Sequence, residues 1–427
     1  MRMLKDSNTN WLGDIPAEWS IGRIGQLYSE RRVKVSDTEY MPLSVTMKGV
    51  VPQLSTAAKT DAHDDRKLVR KGDFAINSRS DRRGSCGISE YDGSVSLINT
   101  ILAPRKSMSP RYYNWLFHTS EFAAEFYKWG HGIVDDLWTT NWNDMKRILV
   151  PVPSLLEQER IANFLDRKCA DIDNVLEKTT ASIEEYRKLK QSVITEAVTK
   201  GIRGERSMKD SGIEWIGEIP EEWNSIRLKY CTYIRARLGW KGLKADEYVE
   251  SGYPLLSAFN IINSKLDFSD VNFINKFRYD ESPEIKLSLG DILLVKDGAG
   301  IGKCAIVDNL PYESTTNGSL AVITVQRYLN PKFLYYYFLS TMFQKLIDQL
   351  KDGMGVPHLF QSDMREIEVV FGSINEQLEI VSYLDQKCSE INSLIASKEK
   401  FIAELESYKK SLIYEYVTGK KEVPSNA

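Results

Sequence analysis

The chain contains a second copy of itself. The stretch Lys5-Asp6-Ser7 through Trp11, Gly13, Ile15-Pro16 and Glu18-Trp19 returns as Lys209-Asp210-Ser211 through Trp215, Gly217, Ile219-Pro220 and Glu222-Trp223. Farther on, Ser154 to Thr199 runs without a gap against Ser373 to Thr418. It preserves Glu157-Gln158/Glu376-Gln377, Ile161/Ile380, Leu165-Asp166/Leu384-Asp385, Lys168-Cys169/Lys387-Cys388, Ile172/Ile391, Ile194/Ile413 and Val198-Thr199/Val417-Thr418. Chance gives roughly 3 identities over such a span, so the repeat is genuine and restricts the fold to two similar units. Between these anchors the halves agree in outline only, at Gly72-Asp73/Gly290-Asp291, Gly84-Ser85-Cys86/Gly302-Lys303-Cys304 and Asp144-Met145/Asp363-Met364. A recurring frame with divergent contents suits two related surfaces facing two different targets; drift after duplication leaves the same trace.

From Leu155 to Thr199 apolar residues recur at three and four spacing, through Ile161, Leu165, Ile172, Leu176, Ile183, Tyr186, Leu189, Val193 and Ala197. The copy repeats the pattern through Ile380, Leu384, Ile391, Leu394, Ile402, Leu405, Tyr408 and Leu412, and neither span contains Pro. This predicts two long amphipathic helices with a narrow coiled-coil seam, each about 45 residues and roughly 67 Å long. Ser154 and Glu157 have capping-box spacing. Before each helix, short β-rich runs (Asp291–Val295, Ala305–Val307, Leu320–Val325) lie between Gly-rich turns, and helical stretches follow at Pro110–Trp129 and Pro331–Leu350. The expected fold is α+β: two mixed α/β globular domains, 1–153 and 205–372, joined by long antiparallel coiled-coil helices in 154–204 and 373–427. The first helix delivers the chain to the second domain and the second must run back to pair with it, which predicts a rod with the domains at opposite ends and a pseudo-twofold repeat.

Composition excludes several classes. The chain has 427 residues, 42% hydrophobic and 27% charged, so it holds real cores and is no disordered polymer. It contains no apolar run of 18 residues and starts on a polar segment, Met1 to Asn10, which predicts neither a membrane span nor a secretory signal, and a cytoplasmic protein. Cys86, Cys169, Cys231, Cys304 and Cys388 form no CxxC pair, and four histidines leave little for a zinc cluster; no metal is expected. Residues 1–153 carry 21 basic and 18 acidic side chains and residues 205–371 carry 19 and 23. That is not the uniform basic field of a free-standing DNA binder, so any nucleic-acid contact must use local patches or share phosphate neutralisation with partners.

Local patches do exist. Arg227 to Lys244 holds Arg227, Lys229, Arg235, Arg237, Lys241 and Lys244 with Tyr230, Tyr233 and Trp240 interleaved and no acid. Cations there can meet phosphates while aromatic faces and Arg forks meet bases; a strand edge guarded by charge is the plain alternative. Arg31, Arg32 and Lys34 occupy the matching region of the first half. Denser still is the loop Asn77 to Gly84, with Arg79, Arg82 and Arg83 between short strands, a candidate DNA-reading loop because Arg is the commonest bidentate reader of guanine. Lys296 and Lys303 flank Asp297-Gly-Ala-Gly-Ile-Gly302, which fails as a phosphate loop: Asp297 stands where its first Gly belongs and Cys304 where Ser or Thr would hold magnesium. A tight glycine hairpin approaching a DNA backbone remains. Asn309-Leu310-Pro311-Tyr312 is similar to an adenine-methyltransferase box but lacks its first Pro and any Gly-rich methyl-donor motif, and reads as a surface turn. No HExxH or GxSxG is present. The loops Gly130–Asp144 and Gly353–Asp363, just before the long helices, either contact DNA or cap their domains through Trp138 and Phe360.

Taken together, Asp210-Ser-Gly-Ile-Glu-Trp-Ile-Gly-Glu-Ile-Pro-Glu-Glu-Trp223 with its first copy, the Gly290-Asp-Ile-Leu-Leu294 segment and the Glu-Gln opening of both helices resemble the specificity subunit of type I restriction-modification systems over essentially the whole chain. The first copy departs at Asn8-Thr-Asn10, where the second has Gly-Ile-Glu. The resemblance implies two target recognition domains, each reading one half of an asymmetric bipartite site on double-stranded DNA, with the helices setting the gap. It also implies a subunit without catalytic residues or cofactors of its own. Two modification subunits would methylate adenine with S-adenosylmethionine, and two restriction subunits would cleave with ATP and magnesium. A self-sufficient methyltransferase or nuclease, and a structural tandem adaptor without sequence readout, are the alternatives; turnover by the isolated chain would reveal the first, and absence of sequence selection with a methylating partner the second.

Overall fold

A computed structural model describes residues 2–54, 63–79, 82–105, 108–132, 138–237, 243–298, 300–350 and 358–424. The chain divides into two compact units, residues 1–180 with 399–427, and residues 181–398. In the first, an antiparallel four-stranded sheet has the order Cys86–Ile88, Phe74–Asn77, Asn99–Pro104, Tyr28–Glu30, with Asn77 opposite Asn99. The second builds the same order from Cys304–Ile306, Ile292–Val295, Leu320–Val325 and Thr232–Arg235, with Val295 opposite Leu320.

These strands read as continuous apolar runs because both faces of each sheet are covered. Side chains alternate along a strand: Ile292 and Leu294 enter one core with the helical residues Phe333, Phe338 and Phe343, while Leu293 and Val295 enter another with Leu256, Ile261 and Ile285. The first unit divides likewise, Phe74 and Ile76 toward Tyr113, Phe117 and Phe122, Ala75 and Ile101 toward Leu43, Val50 and Val95. On the helical side the rings of Phe74 and Phe117 lie 5.0 Å apart and those of Phe117 and Phe122 4.4 Å apart, contacts worth ~0.5–1.5 kcal/mol each beyond burial. The opposite layer is where the halves diverge: an antiparallel sheet of Gly93–Ser96, Arg66–Val69 and Lys34–Val35 in one, and in the other Asn272–Ile274, Tyr253–Leu256 and Thr315–Thr316, whose last pair is parallel.

The predicted helical stretches each break in two. Pro110–Phe117 and Ser120–Lys128 are separated at Thr119, whose side chain accepts from the Phe122 N–H; Pro331–Leu339 and Thr341–Leu350 part at Ser340, which accepts from Phe343 N–H. A hydroxyl that satisfies a free helix donor starts a new helix. Asn8 explains the local departure of the first copy. Its φ of 54° matches the 71° of Gly212, and Asn tolerates this left-handed position better than most residues.

Long helices run over Leu155–Lys200 and Ile374–Val417, each contributing to both units. Their pairing is antiparallel. In the first unit the rings of Phe164 and Tyr416 meet at a tilt, 4.5 Å apart, and Lys409 Nζ donates to Asp173 at 2.6 Å; in the second, Lys190 Nζ donates to Asn392 at 2.9 Å and Lys398 lies over Tyr186. The predicted seam needs correction at Leu189, Leu394 and Tyr408, which are exposed. Near its end the first long helix turns Ile194, Ala197 and Val198 into the second domain's core, so packing against the domain overrides the helix-pair register.

Glu157 and Glu376 hold the helix starts. The Ser154 hydroxyl accepts from Glu157 N–H, but the Glu157 carboxylate does not return to close the expected capping box; it accepts from Trp19 Nε1 at 2.8 Å and Arg2 at 2.6 Å. Glu376 does the same with Trp223 Nε1 at 3.0 Å and Arg206 at 2.6 Å. Gln158 accepts from Ser109 N–H and donates to Pro153 C=O, and Gln377 accepts from Asn330 N–H and donates to Gly372 C=O. Asp166 takes Arg111 and Trp115, as Asp385 takes Lys332 and Tyr336. The Glu376 side chain is 3% exposed and that of Glu157 24%. Glu376→Ala is therefore expected to cost ~2–4 kcal/mol, because it leaves the fully buried Trp223 indole N–H without its acceptor while Arg206 keeps Glu222 and Lys200 C=O, and Glu157→Ala ~1–3 kcal/mol. Urea denaturation of the two variants checks the ranking, and equal losses would contradict it.

Candidate nucleic-acid interface

Two predicted cations are structural. Arg31 grips Asp73 with two hydrogen bonds, at 2.6 and 3.0 Å, and Arg235 donates to Asp291 at 2.9 Å and to Thr324. Both aspartates are buried beside the turn glycines Gly72 and Gly290. The matching basic regions thus owe part of their likeness to a bracket between the first and central strands, the fork of Arg31 being filled by carboxylate and that of Arg235 by a carboxylate and a hydroxyl. Arg237 is buried and donates toward Thr316 C=O, and burial lowers its guanidinium pKa. The acid-free run at 227–244 is neutralised from elsewhere in the fold, because Arg227 pairs with Glu366 and Glu368 and Lys229 with Glu366. Arg32 pairs with Glu30 and Lys34 with Asp65, all near the surface. Lys244 is exposed; Lys241 and Trp240 lie outside the described residues.

The loop after the central strand gathers the other cations of the first domain. Arg79, Arg83 and Gly84 line a narrow crevice with Phe126, Tyr127 and Trp138. The Arg83 guanidinium stacks on the Tyr127 ring at 3.7 Å, and Arg82 is exposed. Trp138 donates through Nε1 to Tyr127 C=O at 2.9 Å. A Cβ at Gly130 would lie 2.3 Å from that nitrogen, so glycine is what lets the indole seat there. Trp138 accordingly caps its domain; residues 133–137 of the same loop lie outside the described residues.

A backbone clasp fixes this loop. Thr140 N–H donates to Ser78 C=O at 2.9 Å, and Arg79 bridges Thr139. In the second domain, Leu359 N–H donates to Lys296 C=O at 2.8 Å, and Asp297 bridges His358. The side chains differ. Lys296 Nζ donates to Asp297 at 2.6 Å, His358 hydrogen-bonds the same carboxylate, and the half-exposed Phe360 meets the His358 ring edge-on at 4.5 Å instead of capping a core. Between the strands, Val295 N–H donates to Lys303 C=O and Gly302 N–H to Val295 C=O, which is the expected glycine hairpin, with the Lys303 side chain exposed.

Sequence reading missed the Asp297–His358 pair, although a signal existed: aligning Gly72-Asp73 with Gly290-Asp291 sets Arg79 opposite Asp297. All five cysteines are free and buried, and burial pushes the Cys169 and Cys231 thiols up to about 11, as packing residues should behave. Among the described residues no group of three or more His, Cys, Asp or Glu side chains is placed to hold a metal ion, and no helix is long and apolar enough to cross a membrane.

Comparisons with known proteins agree with this architecture. Residues 220–406 match the type I restriction modification DNA specificity domain. The type I restriction enzyme MjaVIII specificity subunit of Methanocaldococcus jannaschii is 24% identical over 424 residues, covering 96% of this chain and 94% of that one. A chain from a structure of the type I R-M system, described for its complex assembly and conformational transition, shares the fold with a TM-score of 0.74 at 16% identity over 95% of this chain and 99% of its own. The HsdS subunit from Thermoanaerobacter tengcongensis follows at 0.54 and 16%, over 97% and 100%. With a duplicated frame of α/β domains and long helices throughout, the chain carries a type I restriction modification DNA specificity domain over residues 220–406 and is similar along nearly its whole length to type I restriction enzyme specificity subunits.

Proposed function

We propose that this chain reads an asymmetric bipartite sequence on double-stranded DNA, one globular domain per half-site, and directs partner subunits to that sequence. The observation that carries the reading is the clasped loop: one backbone arrangement appears in both domains with unlike side chains, Arg79, Arg82 and Arg83 in the first and Lys296, Asp297 and His358 in the second. A fixed backbone with variable donors and acceptors is what discrimination between base edges requires. On this reading the chain is non-catalytic. Two modification subunits supply adenine methylation with S-adenosylmethionine, two restriction subunits supply cleavage with ATP and magnesium, and the assembly works in the cytoplasm. The modest net charge of -3 fits a duplex whose phosphates are neutralised partly by those partners.

Two readers joined by stiff helices gain effective concentration only where their half-sites match the spacer. Helix length then belongs to specificity, since both long helices contribute to both units. Inserting one heptad into each is expected to change the unspecified gap and leave both half-sites intact, as read by mapping methylated adenines in cells; an unchanged gap would count against the ruler. Replacing Arg82 and Arg83 with Ala is expected to weaken recognition of one half-site by roughly 5- to 150-fold, the equivalent of ~1–3 kcal/mol. Binding to duplexes altered in one half or the other provides the check, and equal loss at both halves would show that the loop acts on the duplex as a whole.

A further inference from the structure

The duplication offers an internal control. At the repeated frame positions charge class is kept: Arg2 and Arg206, Arg31 and Arg235, Asp73 and Asp291, Arg111 and Lys332, Glu157 and Glu376, Asp166 and Asp385 make the same kind of bond in each domain. At the clasp it is inverted. Arg79 and Asp297 stand at the same place after the central strand, each bridging the residue one before the clasp donor, and one is a cation while the other is an anion.

We infer that 79 and 297 are corresponding specificity positions, and that Asp297 selects a base carrying an exocyclic amino group in the half-site of the second domain. This rests on the reading given above and adds the chemistry of one contact. An ionised carboxylate only accepts, with about four lone-pair sites; Lys296 and His358 occupy one oxygen each, so acceptor capacity remains, and the side chain is 30% exposed. A bare carboxylate against DNA would be repelled by phosphate. Here Lys296 offsets the charge and, with His358, fixes the carboxylate's direction, while Lys303 stands exposed at the far end of the hairpin. In the major groove only cytosine N4 and adenine N6 present an amine to such an acceptor; guanine and thymine present O6 and O4, which it repels. Arg79 in the first domain brings donors, the chemistry of a guanine contact.

The test uses the complex of the full chain with its methylating partner and a panel of duplexes varied one base at a time. Wild type is expected to favour cytosine or adenine at one position of the second half-site by about tenfold or more, within the roughly 5- to 150-fold of a good base contact, and the favoured base tells which amine is read. Asp297→Ala should reduce that preference below about threefold and leave the first half-site unchanged. Asp297→Asn keeps the size and should lower cytosine against adenine at that position by about tenfold, because an amide pairs with adenine. Uniform loss on every duplex with Asp297→Asn, or an unaltered profile with either variant, overturns the inference. Failure of the underlying reading is distinguishable: wild type itself would then show no base preference in either half-site.

Discussion

A tryptophan, an arginine and a glutamate meet at the start of each long helix, and the rest of the structure hangs on that junction. Indole N–H and guanidinium both donate to one carboxylate, Trp19 and Arg2 to Glu157, Trp223 and Arg206 to Glu376. The neighbouring glutamine ties the same turn to the domain's own helix through Ser109 or Asn330. Polar groups buried together in this way have few alternative partners and fix geometry more sharply than apolar contacts do. They explain why the Glu-Gln pair and the tryptophan survive in both copies while residues on the far side of each sheet do not.

Much of this was legible from the chain alone. The helices, the central strands and the glycine hairpin follow from periodicity and punctuation, and the repeat gave the number of domains. What escaped was spatial. The run from Arg227 to Lys244 contains no acid, yet Glu366 and Glu368 lie against it because a strand formed far along the chain pairs with Asn224–Arg227. Arg235 and Arg237 read as surface cations because nothing local announces Asp291 or the burying layer. Thr119 and Ser340 broke helices whose apolar pattern runs straight through them, since a capping hydroxyl acts locally where the hydrophobic pattern is blind.

The sheet divides each domain into a conserved side and a free one. Toward the helices, Phe74, Ile76, Ile292 and Leu294 share cores with residues that also touch the long helices. A change there would disturb two elements at once. Away from them, Ala75, Ile101, Leu293 and Val295 face smaller clusters that answer only to their own strands, and the two copies have filled that space with different sheets.

The bond that recurs in both clasps runs between main-chain atoms, Thr140 to Ser78 and Leu359 to Lys296. A bond between amide and carbonyl is indifferent to side-chain identity except that proline cannot donate it. Heritable variation can therefore rewrite the groups displayed at this spot, residue by residue, without renegotiating stability. A gene under pressure to change what it distinguishes has in this hinge of peptide groups a place where novelty and foldedness are uncoupled.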